Sequence, residues 1–478
     1  MTAASAPTPT PAAVAARRWF PAIALLLLVG LAFRLALAFW VYPRSGLQAD
    51  IGLFAHWAQK LAGDGPGAIY QGAPDLNYPP GYLWLLWAWG EIGTVLARDL
   101  GQHGPDIVTT GIKLPAILVD ILVGWVLYRA VQRWHGSERW GLTVAAVWLF
   151  NPATWYDSTL WGQVDTIGVF VGGLALIWLI DRKPELATAA ATLAILVKPQ
   201  FAIFLGIVGV VLLRRHLHRP TAGVTWRTDR TGPIRLLTSA IAAGVVTIVV
   251  TFPFDLGSRT NSFAGVPVLH LLAGLLSVMA STAGQYANLT VNAFNPWALL
   301  GPDPLIGAHG LGRWMPDSIH VLGIPAFELG AGLFLLVTFG AVLLLWRRPD
   351  RDGILVAAVI LATAFFVVPT RVHERYLFAA VGLGTLLLPR GRGWWAWLVL
   401  ASAILLVNMH AILLLPQPWT GTAALKMLPF GDLAGSPTVA TLAALGCIPM
   451  LLWPLIDGLR LWRQRQPRPA SGEVVGAP

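Results

Sequence analysis

The segment PTRVHERYLF, residues 369–378, sets two guanidiniums, an imidazole and a carboxylate within five positions of one another. Arg371, His373 and Arg375 suit recognition of a phosphate, because a guanidinium offers parallel N–H groups to two oxygens at once. Glu374 offers the competing use, an ion pair inside the turn. A second group lies in NPATWYDSTLWGQVD, residues 151–165, where Asp157, Gln163 and Asp165 stand beside Trp155, Tyr156 and Trp161. Amide and carboxylate groups bond sugar hydroxyls while an indole face stacks on the ring; Trp155 and Trp161 serve equally as interfacial belt residues. Lys198, in ILVKPQF, is an ammonium in an apolar run, costly enough in lipid to read as functional, with carbonyls freed by Pro199 as its alternative partners. Asp50 opens a run in which Ile51, Phe54, Ala55, Ala58 and Leu61 share one helical face. It either caps that helix or serves as a catalytic carboxylate at a membrane surface. Asp64 and Asp75 read as solvated turn residues, and Lys113 and Asp120, seven apart on one helix, as a mutually neutralising pair.

The elements that must position these groups are membrane helices. The chain of 478 residues is 56% hydrophobic and 12% charged, about half the charge of a soluble domain, and its mean hydropathy is +0.65. Apolar runs long enough for a ~30 Å hydrocarbon core recur along most of its length. The pattern predicts an all-α polytopic membrane protein with about twelve transmembrane helices, lying in a cell membrane. A net charge of +10 would suggest nucleic acid on a soluble face, but the basic residues fall between apolar runs and read as topology determinants, so no nucleic acid partner is expected. The single cysteine, Cys447, excludes a disulfide framework and a cysteine-based metal site.

Charge orients the spans. Residues 1–18 read as a disordered cytoplasmic tail, 19–460 as the membrane domain and 461–478 as a disordered basic cytoplasmic tail. The aromatic segment 79–97 is apolar enough to cross, yet it opens on two prolines and carries Glu91. If it lies along the outer surface, 22 of the 33 Lys and Arg residues fall on the cytoplasmic side; if it crosses, every later basic loop faces outward, against the positive-inside rule. The first arrangement places both termini in the cytoplasm and three long loops outside, 43–106, 255–324 and 416–436. Asp50, the 157–165 turn and the 370–375 turn then share the extracytoplasmic face. No repeat of fixed period, phosphate loop or dinucleotide fingerprint is present.

An Asp in the first outer loop followed by NYPPGY, NPA…WGQVD, LVKPQ and HERY, in that order, resembles the GT-C class of polyprenyl-phosphate-sugar-dependent glycosyltransferases. The likeness is nearest to the dolichyl-phosphoglucose-dependent glucosyltransferases of N-glycan assembly and their bacterial relatives, spans residues 50 to 376, and stops short of the last three or so helices. It implies a GT-C-like fold with extracytoplasmic juxtamembrane helices and a hexose donor carried on a polyprenyl phosphate. The acceptor would be a glycan, a lipid or a protein. It implies Asp50 as general base in an inverting displacement, with Arg371, His373, Arg375 and Lys198 as cations on the donor phosphate. It further implies Asn77, Tyr78, Trp161, Gln163, Asp165 and Gln200 as sugar- or acceptor-binding residues. Two departures stand out. Asn77 occupies a position that is typically acidic in the eukaryotic relatives. Asp50 is followed by Ile51 and Gly52 rather than by an acidic neighbour, so neither a required metal nor another cofactor is expected.

Rival readings use the same cations differently. A secondary transporter favours internal repeats and charged sites near the midplane. A lipid-carrier flippase binds polyprenyl phosphate but needs no base at Asp50. A glycan ligase or polymerase draws on a diphosphate donor.

Overall fold

A computed structural model of the chain describes residues 11–43, 45–72, 76–101, 103–217, 232–300, 315–414 and 430–464. Asp75, the middle of the 214–235 loop, residues 301–314 and 415–429 of the outer loops, and most of both expected tails lie outside the described residues. The first helix, Pro11–Ala36, reaches back into the segment expected as a tail.

The regular elements of the described chain are helices and one two-residue-per-strand antiparallel hairpin, His320–Val321 with Ile324–Pro325. Among the described residues, seven helices are long and apolar enough to cross a bilayer: Pro21–Val41, Gly104–His135, Pro199–His216, Gly232–Phe254, Ala326–Arg347, Arg392–Leu413 and Pro437–Arg463. These make the chain an all-α polytopic membrane protein. The expected count of about twelve is not reached by helices of that length. Asp165–Ile180 and Pro184–Val197 have 16 and 14 residues, and at ~1.5 Å per residue each falls short of a ~30 Å core.

The outward faces fit lipid. Only 11% of the best apolar window in Gly232–Phe254 is buried, with Leu237, Ile241, Val245 and Val249 exposed along it. The interior holds Arg351–Val367, whose residues from Gly353 to Ala364 are all buried. One buried polar cluster centres on Asp120. Asp120 accepts from Arg34 Nε at 2.9 Å, Ser158 Oγ at 2.5 Å and Thr166 Oγ1 at 2.6 Å, and Arg34 Nη1 also donates to the carbonyl of Leu149 at 2.8 Å. The expected Lys113–Asp120 pair is therefore absent. The helix starts at Leu114, which leaves Lys113 in the break before it. Its ammonium instead donates to the carbonyl of Ser45 at 2.6 Å and that of Thr159 at 2.9 Å. Lys113 thus ties the segment leading into the Asp50 helix to the turn that precedes Gln163.

Candidate active site

Asp50 is the third residue of the helix Gln48–Asp64, which Leu47 opens with extended backbone and no side-chain cap. Its apolar stripe, Ile51, Phe54, Trp57, Ala58 and Leu61, is buried and orients the helix. The carboxylate does not cap. Its Oδ2 accepts from Gln163 Nε2 at 2.5 Å and Trp161 Nε1 at 3.2 Å, and Arg375 Nη2 stands 3.8 Å away.

Those donors come from the turn between Pro152 and Asp165. A π-helical stretch, Tyr156–Trp161, ends at Gly162 with φ +86, a backbone state in which a side chain would be strained. The carbonyl of Asp157 takes the N–H groups of both Gly162 and Gln163, which aims the Gln163 side chain back at Asp50. The Asp157 carboxyl is fully buried without a hydrogen-bond partner, and burial, reinforced by Asp165, pushes its pKa up, towards the neutral acid. Tyr156 shares a 2.8 Å hydrogen bond with His410.

Lys198 sits at the end of the helix Pro184–Val197, where Pro199 stops it and a 3₁₀ turn leads into the next helix. The ammonium is not taken up by freed carbonyls. It donates to Asp165 Oδ1 at 2.8 Å, an oxygen that also accepts from Gln200 Nε2 at 2.9 Å, and it lies 5.7 Å from the ring centres of both Tyr78 and Tyr376. The NYPPGY segment reaches this point because Gly81 has no side chain: a Cβ there would stand 2.5 Å from the backbone of Leu196.

The 369–378 turn is held by the loop after residue 284. Val291 N–H donates to the carbonyl of Val372 at 2.8 Å, Arg371 N–H to that of Asn288 at 3.0 Å, and Trp297 Nε1 to that of Val368 at 2.6 Å. Arg371 adopts φ +65. Its Nε pairs with Asp317 Oδ2 at 2.7 Å, and its guanidinium lies 4.2 Å from the centre of the Phe327 ring. Arg375 pairs with Glu374, stands 3.4 Å from Asp165 Oδ2, and lies over Trp161 at 5.6 Å. The internal ion pair read for this turn is present, and Arg371 and Arg375 both line a cavity. His373 is set edge-on to Tyr286, ring centres 5.1 Å apart. Burial, and then the positive charges of Arg375 and Lys198, hold its imidazole well below the usual histidine range. This direction favours a neutral imidazole over a third cation in the turn.

These elements enclose a cavity of about 620 Å³. Of the residues singled out in the sequence, Asp50, Asn77, Tyr78, Lys198, Gln200, Arg371, His373 and Arg375 line it. Trp161, Gln163 and Asp165 are fully buried and sit behind it, bonded to residues that line it. Thr282, Gln285 and Tyr286 on one wall, and Trp57 and Tyr376 on others, were not singled out in the sequence, and Phe54 was read there only as part of a helical face. Asn77 Nδ2 donates to Gln285 Oε1 at 2.6 Å, and Thr282 Oγ1 to the carbonyl of Asn77 at 2.6 Å, which joins the 43–106 and 255–324 segments. The polar, aromatic run GQYAN, residues 284–288, was the available signal for that wall. Among the described residues, no three His, Cys, Asp or Glu side chains are grouped as metal ligands.

The arrangement combines a carboxylate whose Oδ1 accepts no hydrogen bond from the described residues with two guanidiniums four residues apart in one turn and an ammonium from another helix. It suits removal of a proton beside a departing anion. No family model matches this chain, and no curated protein does.

Proposed function

We propose that the chain is a membrane glycosyltransferase that moves a hexose from a polyprenyl-phosphate carrier to an acceptor hydroxyl on the extracytoplasmic face. The observation that carries this reading is the convergence of Asp50 with Lys198, Arg371, His373 and Arg375 on one cavity, from segments more than 300 residues apart in sequence. Both the order of the motifs and their resemblance to GT-C enzymes support it.

In the reaction, the Asp50 carboxylate takes the proton of the acceptor hydroxyl as its oxygen attacks the anomeric carbon. The bond from that carbon to the phosphate oxygen breaks on the opposite face, its electron pair leaves with the phosphate, and the anomeric configuration inverts. Charge develops on a lipid phosphate monoester. Lys198 and Arg375 are placed to receive it, Arg371 extends the positive rim, and the neutral His373 contributes an N–H rather than a charge. Fixed protein cations replace a metal in this account. Phe54, Trp57, Tyr78 and Tyr286 supply ring faces for a sugar.

In the membrane, both termini are cytoplasmic, and the positive-inside bias supports an outward-facing cavity. A flippase or transporter would use the same cations but has no role for a carboxylate buttressed by an amide and an indole.

The test is transfer itself. Membranes from cells overproducing the chain are given polyprenyl-phosphate mannose or polyprenyl-phosphate glucose with labelled sugar. Labelled product with inverted anomeric configuration supports the reading; movement of intact carrier lipid without glycosidic bond formation refutes it.

A further inference from the structure

We infer that Gln163 and Trp161 are positioning residues that occupy Oδ2 of Asp50, so that Oδ1 is the atom that receives the acceptor's proton. The inference rests on the glycosyltransferase reading and adds to it which oxygen acts and what holds it. It also reassigns two residues that the sequence suggested for sugar binding.

The geometry is one-sided. Oδ2 takes the Gln163 amide at 2.5 Å and the Trp161 indole N–H at 3.2 Å, with Arg375 Nη2 at 3.8 Å. Oδ1 accepts nothing from the described residues, while Asp50 borders the cavity. Gln163 and Trp161 are 0% exposed and do not line the cavity, so neither reaches a ligand there. Their own positions are set by main chain. Leu47 N–H donates to the carbonyl of Trp161 at 3.2 Å, and Lys113 bridges Ser45 to Thr159. The helix that carries Asp50 and the turn that carries its donors are thereby locked together.

Hydrogen bonds to the charged form favour it. Removing a donor from Oδ2 therefore raises the affinity of Asp50 for a proton, and the base is lost at a higher pH than in the wild type. Gln163→Met keeps the length of the side chain without its N–H. Trp161→Phe keeps an aromatic face under Arg375 without the indole donor.

Two readouts are taken on the full-length protein in detergent. The first is the pH profile of labelled hexose transfer from polyprenyl-phosphate mannose or polyprenyl-phosphate glucose. The second needs no catalysis: carbodiimide, which reacts with a protonated carboxyl, is applied across pH and labelling of Asp50 is counted by mass spectrometry. Each variant is expected to move the acid limb, and the midpoint of Asp50 labelling, upward by roughly one pH unit, the scale of one lost hydrogen bond to a charged group. Transfer then recovers towards the wild-type rate at high pH. A uniform loss at every pH with an unmoved labelling midpoint overturns the inference in favour of a merely structural role. A raised KM for the lipid donor with an unmoved limb overturns it in favour of direct sugar binding. Failure of the glycosyltransferase reading is separable, because absence of transfer by the wild type leaves the labelling midpoints to decide the inference.

Discussion

Lys198 and Asp165 form a buried ion pair, 2.8 Å apart with side chains 8% and 0% exposed, and separating its structural from its chemical use gives a sharp prediction. At that distance and an effective dielectric of about 20, the Coulomb attraction is ~6 kcal/mol. Most of this offsets the desolvation of the two ions, so the intact pair adds little net stability. Breaking it is another matter, because one charge is left buried without its partner, at a cost of ~3–5 kcal/mol. Here the lower end is expected for Lys198→Met, since Gln200 still donates to Asp165 and Arg375 stands 3.4 Å from its other oxygen. The thermal midpoint of the detergent-solubilised Lys198→Met protein should fall clearly below wild type. Adding Asp165→Asn removes the stranded charge and should restore most of the loss. Sugar transfer should not return with it, because the ammonium aimed at the donor phosphate is still missing. A stable, active double variant would show that the pair is only structural and that the phosphate is held elsewhere.

Other consequences are open to measurement. Burial, and then Arg375 and Lys198, hold the His373 pKa in the folded chain below its ordinary value near 6.5, so its contribution to stability is full above that pH and is lost as the pH falls below it towards the lowered folded value. Thermal midpoints between pH 5 and 7.5 should therefore fall more steeply for wild type than for His373→Asn, by at most ~1.4 kcal/mol per pH unit. Gly81→Val should lower both stability and donor affinity, because its side chain meets the backbone of Leu196 and pushes Tyr78 away from Lys198, whereas Gly52→Ala, with nothing within 4 Å, should be silent in the same assays. Transfer should persist in excess EDTA, a loss of activity restored by a divalent metal being the contrary result.

Much of the site was legible in the sequence because polar groups in an apolar chain carry a high cost and so announce themselves. Asp50, Lys198, Arg371, His373 and Arg375 stood out for that reason, and all five border one cavity. Which partner each group takes was not legible. The Asp50 helix begins at Gln48, two residues before the aspartate, so a residue that looks like a cap lies inside the first turn and turns to Gln163 instead. Lys113 and Asp120 share a helical face by spacing, but seven residues are about 10.5 Å of helix rise, and each finds nearer oxygens or cations on other elements. The number of crossings failed on a similar ambiguity. An apolar run such as Arg351–Val367 is hydrophobic all round because it is buried among other helices, and composition alone does not separate that state from contact with lipid. The wall formed by Thr282, Gln285 and Tyr286 depends on a long loop folding back over the 369–378 turn, through backbone pairings that leave no trace in residue type.

The most direct test of the central claim is the Asp50→Asn protein, assayed for transfer beside the wild type at matched expression. The substitution keeps size and the hydrogen-bonding reach of the side chain and removes its basicity. Turnover should fall at least ~10²-fold, while thermal stability and binding of polyprenyl phosphate stay near wild type. An Asp50→Asn protein that transfers sugar at the normal rate would contradict the account.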